Sequence, residues 1–304
     1  MTSSAVALPQ AASQPAWVTK YGPVVVVCAV LLVIWYLAAI LLNAPLVRDA
    51  FERQDVQYTL VDVIAGTLDS ERPIMPAPHQ VLFELYDSVF GYPLDSPRNL
   101  AYHAWITLSA TLVGFAIGSI FGVVLAVLIV HVRTLEKSLL PWVICSQMVP
   151  ILAIAPIIIV VLGAIGIRGL LPKSIISAYL CFFPVTISMV KGFTSPDPIQ
   201  LDLMRTWSAN KMQVFWKLRW PSAIPFLFAG LKVAVTISLV GAIVGELPTG
   251  AQAGIGARLL SGSYYGQTVQ IWAALITAAI MAAALVAIID VIGIWTERQM
   301  GATR

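Results

Sequence analysis

The chain has 304 residues, 59% of them hydrophobic and 11% charged, against about 25% charged in an ordinary soluble domain, and this excludes a soluble enzyme of ordinary make-up. The net charge of +3 gives no sign of a nucleic-acid partner. The length would allow two soluble domains of about 150 residues, but the charges gather into islands between long uncharged stretches.

In chain order, residues 1–20 are rich in Ser, Ala and Gln at their start and read as a disordered N-terminal segment. The 27 residues between Lys20 and Arg48 are uncharged, enough for a membrane helix of about 20 apolar residues. The apolar run from Tyr21 to Leu42 is too long for a signal-peptide core and no small-residue cleavage site follows it, so a retained first span over 22–43 is expected. The segment from Asn43 to Leu100 holds four Arg and nine Asp or Glu. Within it, Val81, Leu82, Leu85 and Phe90 follow the turn-prone Pro76-Ala77-Pro78 and predict a short amphipathic helix on the membrane surface.

Further uncharged runs predict spans over 105–130, 139–162, 173–191, 224–246 and 269–293, six in all. Gly114, Gly118 and Gly122 recur every four residues in the second span and allow close helix packing, with a neighbour either in the same chain or in a second copy. Pro184 predicts a kink in the fourth span. Cys28, Cys145 and Cys181 all fall inside predicted spans, where they act as small apolar residues. His79, His103 and His131 are scattered and read as loop or interfacial residues. The fold class expected is all-α, a polytopic membrane protein. Its organisation is the 1–20 segment, a first helix with an external segment over 21–100, and a membrane core over 101–298.

With six spans, both termini share a side with the loops after the second and fourth spans. That side carries ten basic and four acidic residues, while the 43–100 segment nets minus five. The bias of Lys and Arg places both termini and the 191–221 loop in the cytoplasm.

That loop has structure of its own. Asp197, Pro198 and Gln200 supply an N-cap, a first-turn proline and a capping-box partner; Asn210 with Gln213 repeats the pattern. Two short helices therefore meet at Ser208 and Ala209. Leu203, Met204 and Trp207 form an apolar face on the first, and Met212, Phe215 and Trp216 form one on the second, which Pro221 is expected to end. A solvated loop has no use for two amphipathic helices, so this one is expected to dock on a protein.

The loop resembles the EAA loop of permease subunits of bacterial ABC importers, whose pattern is Glu-Ala-Ala, three residues, Gly, nine residues, Ile, one residue, Leu-Pro. Without gaps, Glu falls on Asp202, the two Ala on Leu203 and Met204, Gly on Ser208, Ile on Leu218, Leu on Trp220 and Pro on Pro221. Only the proline is identical. Met75-Pro-Ala-Pro, Pro150-Ile-Leu-Ala-Ile-Ala-Pro156, Phe183-Pro184, Pro225-Phe-Leu-Phe-Ala-Gly-Leu-Lys232, and Gly245-Glu246 followed by Gly254-Ile-Gly256 are similar to the nitrate, sulfonate, bicarbonate and taurine type of permease. The same broad group includes permeases for thiamine-precursor pyrimidines and riboflavin.

The resemblance covers residues 75–298 and implies a type I importer transmembrane fold in the inner membrane. It implies a coupling loop over 195–222, in which Asp202, Leu203, Met204, Arg205, Thr206, Trp207, Ser208, Ala209, Leu218 and Pro221 meet a cytoplasmic ATPase dimer. It also implies a second permease subunit, most simply a copy of this chain, and an external solute-binding protein. No Gly-x4-Gly-Lys-Ser/Thr phosphate loop occurs, so no cofactor is expected in this chain, and ATP and Mg belong to the partner. The solute expected is small and polar or anionic, of sulfonate, nitrate, pyrimidine or flavin type.

Four polar or soft positions are pathway candidates. Lys232, about two turns inside the fifth span, either snorkels or pairs structurally, or acts in transport. Glu246 either faces the pathway as an outer gate or caps the external loop in water. Gln147 and Met148, just before Pro150, either line a solute route or pack between helices. Asp290 is expected to meet an interfacial partner such as Lys191, or water. A membrane-embedded enzyme would need paired carboxylates or His clusters at depth, and a secondary transporter would want two related halves with broken helices; neither pattern is visible.

Overall fold

The computed structural model describes residues 16–248 and 253–300, with side chains from residue 22. The segment expected to be disordered thus lies mostly outside the described residues, and helix begins at Ala16. Every regular element among the described residues is helical, and the chain divides into two compact units, 1–82 and 83–304.

In the first unit, α1 (Ala16–Arg53) is longer than the expected span and α2 (Leu60–Leu68) follows it. The second helix starts at a capping box: Thr59 Oγ1 accepts from the Asp62 amide and the Asp62 carboxylate accepts from the Thr59 amide. The Asp62 carboxylate also accepts from the Thr59 hydroxyl at 2.7 Å, and this bond, with that from the Thr59 amide, holds the exposed carboxyl below the usual aspartate range. Asn43, fully buried, ties α1 to the chain returning past it: its amide nitrogen donates to Met75 O at 2.8 Å and its oxygen accepts from the Ile74 amide at 2.7 Å. The expected amphipathic helix forms as α3 (Pro78–Phe90), across the boundary between the units, with Val81 buried.

The second unit is built on three long helices: α4 (Leu100–His131), α7 (Leu170–Thr194) and α10 (Trp220–Glu246). The glycine ladder of α4 meets α7 of the same chain. A Cβ on Gly114, Gly118 or Gly122 would come within 2.7 Å of backbone or side-chain atoms of Ser174, Ser177, Ala178 or Phe182. Hydroxyls then bind the helices together. Ser174 donates to Ala110 O, Thr186 to Gly122 O, and Ser238 of α10 to Thr111 O. Such small-residue and hydroxyl contacts replace the hydrophobic drive that is absent between helices in lipid. The short fourth span is consequently the central element, and it continues unbroken through Pro184.

Two expectations fail here. The third span is not one helix but α5 (Arg133–Ser146) and α6 (Ile151–Ala164), bent by 95° at their junction. Pro150 lacks an amide hydrogen and disfavours helix at Val149, which ends α5 and restarts the chain as α6. Among the described residues five helices are long and apolar enough to cross a membrane, and the bent pair would make a sixth crossing.

Nor does Pro221 end the loop's second helix. After α8 (Pro198–Thr206) and α9 (Lys211–Val214), residues Phe215–Arg219 form a π-turn that runs directly into α10. The Trp220 amide bonds five residues back, to Phe215 O, so the wider turn absorbs the proline that would interrupt a regular α-helix. The chain closes with α11 (Ile255–Tyr264) and α12 (Thr268–Gln299).

Candidate functional site

The loop between α7 and α10 folds from its caps outward. Asp197 accepts from the Ile199 amide at 2.8 Å and Gln200 closes the box; Asn210 and Gln213 cap each other at 2.8 and 2.9 Å. Between the helices Ser208 has φ +53. The Ser208 amide donates to Arg205 O and the Ala209 amide to Met204 O, five residues back, which is the helix-ending turn that favours glycine at this place. The family pattern has glycine there. The structure thus explains why spacing matched better than identity: the backbone shape is kept with a serine.

Leu203, Trp207, Met212 and Trp216 are all more than half exposed, and Arg205 pairs with Asp202 at 2.9 Å in water. Phe215 departs from the expected face. It is buried, with ring centroids 5.3 Å from Phe193, 4.9 Å from His131 and 6.0 Å from Trp220. The aromatic cluster anchors the base of the loop to the ends of α4, α7 and α10. Residues 202–209, including Thr206, sit together on the exposed turn; Leu218 lies in the π-turn and Pro221 at the start of α10.

At the other end of α10, Glu246 is 1% exposed. Capping in water is therefore overturned. Its carboxylate accepts from Thr107 Oγ1 at 2.9 and 3.0 Å, from the Gly256 amide at 2.9 Å and from Lys173 Nζ at 3.3 Å. Thr107 Oγ1 in turn accepts from the Ile255 amide, and His103 Nδ1 from the Gly254 amide, while His103 Nε2 donates to Pro97 O. One ring nitrogen donates and the other accepts, as a neutral imidazole does. The buried set holds the start of α11 to α4, α7 and α10. Gly254, φ +127, is obligatory: a Cβ there would lie 2.1 Å from the Glu246 carboxylate. His103 is thus a buried structural group and not a loop histidine. Sequence reasoning missed Thr107, Lys173 and His103, for which Glu246 next to Gly254-Ile-Gly256 was the available signal.

Lys232 of α10 reaches across to Asp290 of α12, not to the interface, and Asp290 pairs with it and not with Lys191. At the α5–α6 bend Met148 is 74% exposed, and the Gln147 side-chain nitrogen is buried with no hydrogen-bond partner. Tyr179 OH donates to the Ser146 carbonyl freed by the bend. A cavity of about 720 Å³ lies among α4, α6, α7 and α10, lined by Ile106, Ile159, Arg168 and Lys173 among others.

The described residues form an all-helical body with five helices long and apolar enough to cross a membrane and a hairpin of capped helices exposing apolar side chains between α7 and α10, the make-up of a polytopic membrane protein. Residues 118–301 match the family model described as "Binding-protein-dependent transport system inner membrane component". A probable ABC transporter permease protein of Haemophilus influenzae is 30% identical over 203 residues, 67% of this chain and 78% of that one. The riboflavin transport system permease protein RibX of Chloroflexus aurantiacus is 30% identical over 208 residues, 68% of this chain and 74% of that one. The formylaminopyrimidine transport permease protein ThiX of Halalkalibacterium halodurans is 28% identical over 194 residues, 64% and 72% of the two chains. The inward-facing MetNI methionine ABC transporter shares the fold, with a TM-score of 0.52 and 20% identity over 67% of this chain and 96% of that one. The chain belongs to the binding-protein-dependent inner-membrane permease family, and is a transport subunit of an ABC importer rather than an enzyme.

Proposed function

We propose that two copies of this chain form the translocation pathway of the importer and that the 195–222 loop transmits the work of a cytoplasmic ATPase dimer to it. The termini and this loop face the cytoplasm; the solute-binding protein docks on the opposite face, and ATP and Mg are held by the ATPase. The solute is small and polar or anionic, of the sulfonate, nitrate, pyrimidine or flavin type. The observation that carries the reading is the Ser208 turn. It presents Leu203, Trp207, Met212 and Trp216 to the surroundings while Phe215 anchors the loop to three core helices. A groove on the ATPase that grips the turn would thereby move the ends of α7 and α10 as one body.

The test is uptake and ATP hydrolysis by the assembled complex. Ser208→Trp, or deletion of residues 206–210, is expected to leave the membrane helices folded, with hydrolysis no longer driving uptake. Unchanged uptake with normal stimulation of hydrolysis would remove the loop from the coupling path.

A further inference from the structure

The cavity among α4, α6, α7 and α10 lies at the end of the bundle away from the 195–222 loop. Ile106 is in the second turn of α4, Gly163 in the last turn of α6, Lys173 in the first turn of α7 and Gly245 in the last turn of α10. The loop joins the opposite ends of α7 and α10. A volume of about 720 Å³ falls within the roughly 300–1,000 Å³ of small-molecule sites.

The walls follow from local structure. At the end of α6 the Gly166 amide donates to Gly163 O at 3.1 Å and the Ile167 amide to Leu162 O at 2.8 Å. Gly166 and Gly169 take φ +83 and +79, so the chain reverses within a few residues and Arg168 lines the same cavity as Gly163. A Cβ on Gly163 would meet nothing within 4 Å; the space there is open and not filled by a neighbouring side chain. Ile106, Ile159, Ile167 and Leu170 make the sides apolar.

The charge of the lining has one sign. Lys173 and Arg168 line the cavity, and no carboxylate does among the described residues. Lys173 is neutralised by Glu246 and also donates to Ala253 O at 3.0 Å. Arg168 is exposed and forms no ion pair among the described residues, which leaves one uncompensated positive charge at the rim. A cleft with low-dielectric walls focuses the field of such a charge, and a guanidinium can hold two oxygens of one oxyanion through parallel hydrogen bonds. The apolar sides suit a carbon skeleton and give nothing to a bare inorganic anion, whose hydration they cannot replace.

We infer that this cavity receives the solute on the outer face and that the solute is an organic anion, with its oxyanion on Arg168 and its apolar part against the isoleucines. This rests on the permease reading and narrows the solute it allows.

The experiment uses the complex with its ATPase in right-side-out vesicles, with Cys28, Cys145 and Cys181 replaced by Ala. Gly163→Cys is reacted with two membrane-impermeant thiol reagents, the anionic (2-sulfonatoethyl) methanethiosulfonate and the cationic 2-(trimethylammonium)ethyl methanethiosulfonate, each rate being divided by that with free cysteine. The anionic reagent is expected to be favoured on the order of tenfold. The preference should survive Arg168→Lys and vanish in Arg168→Gln. Equal normalised rates with Arg168 in place would mean that water or lipid phosphate already satisfies the guanidinium, and would overturn the site. A thiol that is unreactive, or reached only from the inner side, would overturn the placement. Butanesulfonate is expected to slow the labelling more than riboflavin or nitrate at equal concentration; stronger protection by either of these overturns the solute class.

In proteoliposomes supplied with the solute-binding protein, ATP-driven uptake is measured for the same three solutes. Uptake of butanesulfonate is expected, falling on the order of tenfold in Arg168→Gln. Uptake of riboflavin or nitrate without butanesulfonate overturns the charge assignment. Failure of the permease reading shows differently, as absence of ATP-driven uptake of all three while the labelling preference stands.

Discussion

Of two ion pairs, one on α8 in the loop before α10 and one at the far end of α10, the shorter is the weaker. Arg205 and Asp202, on the loop that leads into α10, are 2.9 Å apart with side chains 80% and 66% exposed. Lys173 and Glu246, at its far end, are 3.3 Å apart with side chains 12% and 0% exposed. In water an exposed pair contributes about 0–1 kcal/mol, because solvation competes with the attraction and two long side chains must be ordered. Within the helix bundle the comparison is with an unpaired buried charge, and removing one partner costs about 3–5 kcal/mol. Distance does not rank the two; desolvation does. The difference also fits their places. A buried network of hydrogen bonds holds one end of α10, while at the other the aromatic cluster around Phe215 anchors the base of a loop whose exposed turn is shaped by its local caps.

The largest effect should come from breaking the buried pair. Lys173→Met leaves Glu246 with its hydroxyl and amide donors but no cation, and is expected to cost about 3–5 kcal/mol, read as a lowered unfolding temperature of the purified protein. Lys173→Met combined with Glu246→Gln should recover part of that loss; no recovery would mean that Lys173 acts through packing alone.

An intermediate effect is expected at the turn. Ser208→Val places a β-branched residue at positive φ, which costs about 1–2 kcal/mol locally, whereas Ser208→Gly relieves the strain. Uptake should fall for Val and persist for Gly, with little change in the stability of the membrane helices. Equal uptake by both would separate the turn's shape from coupling. The smallest effect belongs to Arg205→Ala, expected to shift stability by no more than about 1 kcal/mol. Loss of uptake at unchanged stability would then locate an ATPase contact on the guanidinium. A stability loss comparable with that of Lys173→Met would contradict the comparison itself.

Much of this architecture is legible before any coordinates. Uncharged runs mark the membrane helices because a bilayer core admits little else, and the paired caps at Asp197–Gln200 and Asn210–Gln213 mark the loop helices because capping is a contact over three residues. The break in the third span was signalled by Pro150 yet read through, since hydropathy does not record direction. Helix α2 was missed although Thr59 and Asp62 carry its capping box, because the apolar pattern before it is irregular.

The sequence by itself determined the class, the spans other than the third and the caps that start the two loop helices, while its motifs carried the resemblance to the family. The class, spans and caps rest on composition and on contacts between residues a few positions apart, which the order of the chain specifies directly. Only the tertiary structure decided that the glycine ladder packs within the chain, that Glu246 is held by Lys173 and Thr107, and that Lys232 answers Asp290 and not water. Lys173 and Glu246 are 73 residues apart and Thr107 and Glu246 are 139 apart. With several hydroxyls, carboxylates and cations near helix ends, sequence alone cannot choose among partners that only packing brings within reach.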